Sequence, residues 1–152
     1  MPDADAVAKR PRRKSRRAYV LEEQVGFILR QASQRHAVLF AERMVDELTP
    51  TQFTALVKLF TEGVVSQNRL GRLTAMDAAT IKGVIDRLSA RGYIEAAVDP
   101  ADARLRLLTL SARGREVVER ALPAAAAITE ATLAPLNDEE REQLIGLLRR
   151  LC

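Results

Sequence analysis

The stretch from Ser66 to Gly92 constrains the fold most. Ser66 is placed to cap a helix over Gln67 to Leu73, and Asp77 to cap a second helix that Gly92 stops, with only Thr74, Ala75 and Met76 between the two. Along the second helix Ile81, Val84, Ile85 and Leu88 recur at i, i+3, i+4 and i+7. One face is therefore buried and the other is left free. Two short helices joined by so tight a connection form a helix-turn-helix pattern.

The flanking segments extend the pattern. Leu21, Val25, Ile28, Leu29, Ala32, Leu39 and Phe40 recur at helical spacing and predict one long amphipathic helix from Tyr19 to Met44. Thr49 is pushed out of the helical region by Pro50, which suits the first turn of a helix running to Glu62 with Phe53, Leu56, Val57 and Phe60 inward. Gly63 is expected to end it in a left-handed cap. After Gly92, the runs Ile94 to Val98 and Leu105 to Leu110 flank the turn residues Asp99 to Arg104 and read as a hairpin. Ser111 caps a helix that contains Pro123, where a kink is expected. Asn137 with Glu140 begins a last helix whose Leu144, Leu147, Leu148 and Leu151 form a stripe in need of a partner.

Charge follows the same segmentation. The net charge of +4 divides into +5 over residues 1–17, −2 over 18–65, +4 over 66–115 and −3 over 116–152. Positive charge confined to a tail and one central segment is what a nucleic-acid-binding module between non-binding helices would show, although solvated helix faces can also differ by chance. Residues 1–18 read as a disordered basic arm, because Lys9 to Arg17 holds seven cations in nine positions. Such an arm either neutralises phosphates, enters a groove, or merely solubilises.

Taken in order, Leu48-Thr49-Pro50-Thr51-Gln52-Phe53, Leu70 with Leu73, Asp86-Arg87-Leu88 through Arg91-Gly92-Tyr93-Ile94, and Asp102-Ala103-Arg104 followed by Leu110-Ser111 and Gly114 resemble a bacterial transcriptional regulator of the MarR family. The last of these resembles the family's Asp-x-Arg wing signature, with Ser111 where the family has Thr. The resemblance spans residues 19–152 and implies a mainly α fold: a winged helix-turn-helix domain over 48–111 with a two-stranded wing, flanked by dimerisation helices over 19–47 and 112–152. It further implies a homodimer that binds double-stranded DNA at an inverted repeat, with half-sites about one DNA turn apart.

Under that reading the free face of the second short helix enters the major groove. It presents Ala78, Ala79, Lys82, Gly83 and Asp86, with Thr80 and Arg87 towards the side. Gly83 costs about 1 kcal/mol relative to Ala in mid-helix, which points to close backbone approach by DNA or by a neighbouring helix. Arg104 at the wing tip is the candidate minor-groove residue, and Asp102 is placed to orient it. Arg69, Arg72 and Arg106 are candidate phosphate contacts.

The resemblance also implies a small-molecule effector bound between the winged domain and the dimer helices. Arg30, Arg35 and His36 on the first helix, with Phe53 and Phe60 on the second, are the candidate contacts; the competing reading of His36 is a buried structural histidine bonded to a backbone carbonyl. The Gln34-Arg35-His36 stretch is similar to family members that regulate aromatic-acid catabolism, some of which respond to aryl-CoA thioesters. An aromatic acid or its CoA thioester is therefore the expected effector.

Other classes are disfavoured. One His and one Cys, Cys152 at the last position, cannot compose a nucleophile-and-base site or a zinc cluster, so neither catalysis nor a cofactor is expected. The peroxide-sensing branch of the family carries its cysteine near the start of the first helix, where this chain has none. Without a long apolar run or greasy leader, the expected location is the cytoplasm. A ligand-independent DNA-organising protein or a helical interaction protein is the alternative.

Overall fold

Side-chain caps set the helix frame. In the computed structural model, which describes residues 19–152, Ser66, Asp77, Ser111 and Asn137 each accept a backbone N–H three residues on. They open α3 (Gln67–Leu73), α4 (Ala78–Ala90), α5 (Ala112–Leu133) and α6 (Asp138–Arg149). Thr49 and Gln52 form a reciprocal capping box at α2 (Pro50–Glu62), as do Asn137 and Glu140 at α6. Each box satisfies two N–H groups that a helix start otherwise leaves unpaired.

The first helix is shorter than the sequence pattern implies. A single 3-10 turn at Leu21–Glu23 precedes α1 (Val25–Arg43), with extended backbone at Gln24 between them. Of its apolar residues only Phe40 is buried, while Val25, Ile28 and Leu29 stay exposed. Gly63 has φ +77° but ψ −110°, so it ends α2 with a positive φ outside the left-handed helical well. The helix α5 is continuous through Pro123, which removes one backbone donor from it.

The hairpin forms from β2 (Ile94–Val98) and β3 (Arg106–Leu110), paired Ile94 to Leu110 and Val98 to Arg106. A third strand, β1 (Val65–Ser66), adds to the far edge of β3 with Val65 opposite Leu108, giving the order β1-β3-β2. The sequence pattern showed only two strands, because a two-residue strand carries no alternation to read.

One core unites these pieces. Leu56 and Leu59 from α2, Leu70 from α3, the four apolar residues of α4, Leu108 from β3 and Val117, Val118, Ala121 and Ile128 from α5 are all buried together. The helix α5 thus belongs to the core of the winged domain as well as to its C-terminal flank. In contrast, Leu147 and Leu148 of α6, and Leu151 just after it, are exposed. The tie of α6 to the rest is Arg141, which donates to Leu136 O and the Glu130 carboxylate.

The connection from α1 to α2 is strained. Asp46 and Glu47 both have positive φ, 51° and 50°, a conformation that costs non-glycine residues about 1–2 kcal/mol each. Two arginines hold it: Arg91 at the end of α4 donates to Asp46 O at 2.5 Å, and Arg120 of α5 donates to its carboxylate at 2.6 Å. The same Arg91 donates to the Tyr93 hydroxyl and lies 4.7 Å over its ring.

Candidate nucleic-acid interface and effector cavity

The free face of α4 is built from small and polar residues. Ala78, Ala79, Thr80, Lys82, Asp86 and Arg87 are all exposed. Lys82 is paired with Asp86 at 2.7 Å across one helical turn, a contact between solvated groups that phosphate could displace at little cost. No neighbouring helix approaches Gly83. The nearest atoms to a Cβ placed there belong to the Arg87 guanidinium, at 3.5 Å and beyond, so the close packing of a second helix does not account for the glycine. Asp77 caps this helix through the Thr80 N–H at 2.7 Å, and that backbone bond holds its carboxyl below the usual aspartate value.

Arg104 projects from the hairpin turn with 91% of its side chain exposed. The turn is self-supporting. Asp99 Oδ1 accepts the Ala101 N–H at 2.8 Å, Leu105 N–H donates to Asp102 O, and Asp102 Oδ1 accepts both the Arg104 N–H at 3.0 Å and its Nε–H at 3.2 Å. Asp102 therefore fixes both the backbone and the root of the guanidinium while leaving the terminal nitrogens outward. Arg106 lies at the base of the same hairpin. Together with Arg104, Gln67 and Asn68 it lines a polar cleft of about 200 Å³ between the wing and the start of α3. Gln67 and Asn68 were not singled out by sequence, since neutral amides carry no charge signal. Of the other arginines, Arg72 is exposed, whereas Arg69 is held by Glu62 at 2.8 Å.

The wing is anchored where its second strand passes into α5. Ser111 N–H donates to Tyr93 O, Ser111 Oγ donates to Gly92 O, and Gly114 N–H donates to Ser111 Oγ. Gly114 has to be glycine here: a Cβ would stand 1.9 Å from Tyr93 O.

A separate cavity of about 220 Å³ opens between α1, α2 and α5, lined by His36, Phe40, Pro50, Phe53, Thr54, Ala125, Ile128 and Thr129. Two of the five sequence candidates, His36 and Phe53, meet there. Arg35 is spent differently: its guanidinium donates to Thr132 O at 2.6 Å and Ala131 O at 3.1 Å, closing the C-terminal end of α5. Arg30 lies over the Phe27 ring at 5.6 Å, and Phe60 lies beneath Arg115 at 5.5 Å, so neither reaches this cavity within one chain. The misplacement of Phe60 has a simple cause. Seven residues separate it from Phe53, which keeps both on one face of α2 but sets them two turns apart along its axis. The alternative of a backbone-bonded histidine is also replaced, because His36 Nδ1 meets Thr132 Oγ1 at 2.9 Å. Sequence reasoning had no means of finding Thr132, 96 residues away.

Among the described residues there is no cluster of His, Cys, Asp and Glu able to hold a metal, and no helix long and apolar enough to cross a membrane. The basic arm of residues 1–18 lies outside the described residues.

Comparison with known proteins gives a consistent result. Residues 48–105 match the model of the MarR family. The HTH-type transcriptional repressor NicR of Pseudomonas putida is 38% identical over 134 residues, covering 88% of this chain and 85% of NicR. A crystal structure of a probable transcriptional regulator from Pseudomonas aeruginosa superposes with TM-score 0.86 at 55% identity, over 88% of this chain and 100% of that one. The structure of Bordetella bronchiseptica BpsR, whose DNA binding is regulated by 6-hydroxynicotinic acid, superposes with TM-score 0.83 at 42% identity, over 88% of this chain and 96% of BpsR.

Proposed function

The chain belongs to the MarR family of transcriptional regulators, and from that premise we propose that it is a homodimeric repressor released from an inverted-repeat operator by a small aromatic acid. The observation that carries the effector half is the cavity holding His36 and Phe53, set between the helix that bears the exposed apolar stripe, α1, and two helices of the DNA-reading core. A space of about 220 Å³ is on the scale of one substituted ring and far smaller than a whole CoA thioester, so a free acid is favoured over an aryl-CoA. The likeness to BpsR, regulated by 6-hydroxynicotinic acid, supports the same class. The likeness to the repressor NicR supports the sign of regulation.

For the DNA half, α4 supplies the major-groove face, with Ala78, Ala79, Thr80 and Gly83 against base edges and Lys82 and Arg87 on phosphates. Arg104, oriented by Asp102, enters the minor groove beside it, and Arg69, Arg72 and Arg106 complete the phosphate contacts. Residues 48–111 form the reading unit. The flanks 19–47 and 112–152 pair two copies in the cytoplasm, with the stripes of α1 and α6 closing against the partner. The basic arm adds sequence-independent attraction.

Titration of aryl acids against the protein–operator complex, with sedimentation of the free protein, tests the whole. A dimer that leaves one operator on adding a hydroxylated aryl acid is the expected result; a monomer indifferent to sequence overturns it. Arg104→Ala should weaken binding by about 1–3 kcal/mol per half-site at matched salt with the melting temperature unchanged. Deleting residues 1–17 should flatten the salt dependence while sparing discrimination between operator and random DNA.

A further inference from the structure

We infer that Thr132 is a positioning residue: it fixes His36 in the Nδ1–H form, so that the cavity selects aromatic acids carrying a hydrogen-bond donor, a phenolic O–H or a ring N–H. The inference rests on the proposed effector site and concerns its chemistry.

The hydrogen bonds around α5 favour one tautomer. Thr132 Oγ1 donates its one proton to Ile128 O at 2.8 Å, as a threonine one helical turn on commonly does. The same oxygen lies 2.9 Å from His36 Nδ1 and has only lone pairs left to offer. With the Thr132 proton on Ile128 O, Nδ1 is the atom that carries the ring's proton. Arg35, clamped on Ala131 O and Thr132 O from the preceding position of α1, holds the two helices in this register.

In the neutral ring that leaves Nε2 as a bare lone pair. His36 makes no other hydrogen bond among the described residues, and no buried side-chain polar atom lacks a partner, so Nε2 is open to solvent. The histidine lines the cavity beside Phe53 and Ile128. An acceptor in such a place attracts O–H or N–H and repels a carboxylate oxygen. A ring acid is thus seated with its donor towards His36 and its carboxylate turned away, and an analogue lacking the donor leaves Nε2 desolvated and unpaired.

The chain contains a single histidine, so nitrogen NMR of tag-free protein reads this residue without assignment. At about pH 9, above the ordinary histidine range, long-range proton–nitrogen correlation should show a protonated-type Nδ1 and a lone-pair-type Nε2. Thr132→Val, nearly isosteric but without the hydroxyl, should shift the ring towards the opposite tautomer, and Thr132→Ser should restore it. With 4-hydroxybenzoate, 4-methoxybenzoate and benzoate as probes, the wild type should favour the hydroxyl compound at least about tenfold, falling to within about threefold in Thr132→Val. An Nε2–H pattern in the wild type overturns the inference whatever binds, as does hydroxyl preference unchanged by Thr132→Val. An Nδ1–H pattern in a protein that binds none of the three acids supports the tautomer but overturns both the selection and the effector reading beneath it.

Discussion

Two glycines in this chain look alike in sequence and have opposite physical standing. Gly114 sits under Tyr93 O with no space for a methyl group, so Gly114→Ala must displace either the wing or the start of α5. A loss of about 3 kcal/mol or more is expected, seen as a melting temperature lower by roughly 10 °C. Gly83 has room. A Cβ there meets the Arg87 guanidinium at an ordinary 3.5 Å, so Gly83→Ala should raise stability by up to about 1 kcal/mol through helix propensity alone. If backbone proximity to DNA is the reason for the glycine, that more stable variant should bind operator at least about tenfold more weakly. Chemical denaturation and operator titration on one preparation read both effects, and unchanged affinity would remove Gly83 from the interface.

At the scale of elements, α4 depends on the charge of its cap. Asp77 accepts the Thr80 N–H as a carboxylate, which lowers its folded-state pKa below the unfolded value. The contribution is therefore complete above the ordinary aspartate range and is lost as pH falls through the folded value. Asp77→Asn keeps an acceptor without titration. Melting curves from about pH 6 to about pH 3 should show the wild type losing stability relative to the Asn variant across the acidic end, while parallel curves would show that the cap is insensitive to protonation. The start positions of α2 to α6 were legible in the sequence because caps, Pro50 and glycine stops are local signals. The break at Gln24 was not, since the apolar spacing runs on through it; nor were the two-residue β1 and the positive-φ Asp46 and Glu47, which are held by β3 and by Arg91 and Arg120 far along the chain. The candidate site divides the same way. The exposed face of α4 and the Asp102–Arg104 turn are written in consecutive residues. The cavity is not, because its polar chemistry depends on where α5 places Thr132 against α1.

The whole molecule is left with an unfinished surface. Val25, Ile28 and Leu29 on α1, Leu147 and Leu148 on α6 and Leu151 just beyond it are exposed in the single chain, and a 12-residue helix such as α6 is marginal without a packed face. If a second copy covers them, melting temperature and amide protection in α6 should both rise with protein concentration, whereas the proposed pairing is wrong if α6 stays equally protected on dilution. That stripe then makes gene dosage part of the regulator's chemistry. In the dilute limit the amount of DNA-competent dimer grows as the square of chain number, so that doubling expression gives roughly four times as much of it. A few leucines on the last helix would thus set a copy-number threshold below which the regulated promoter is left unoccupied with no effector present at all.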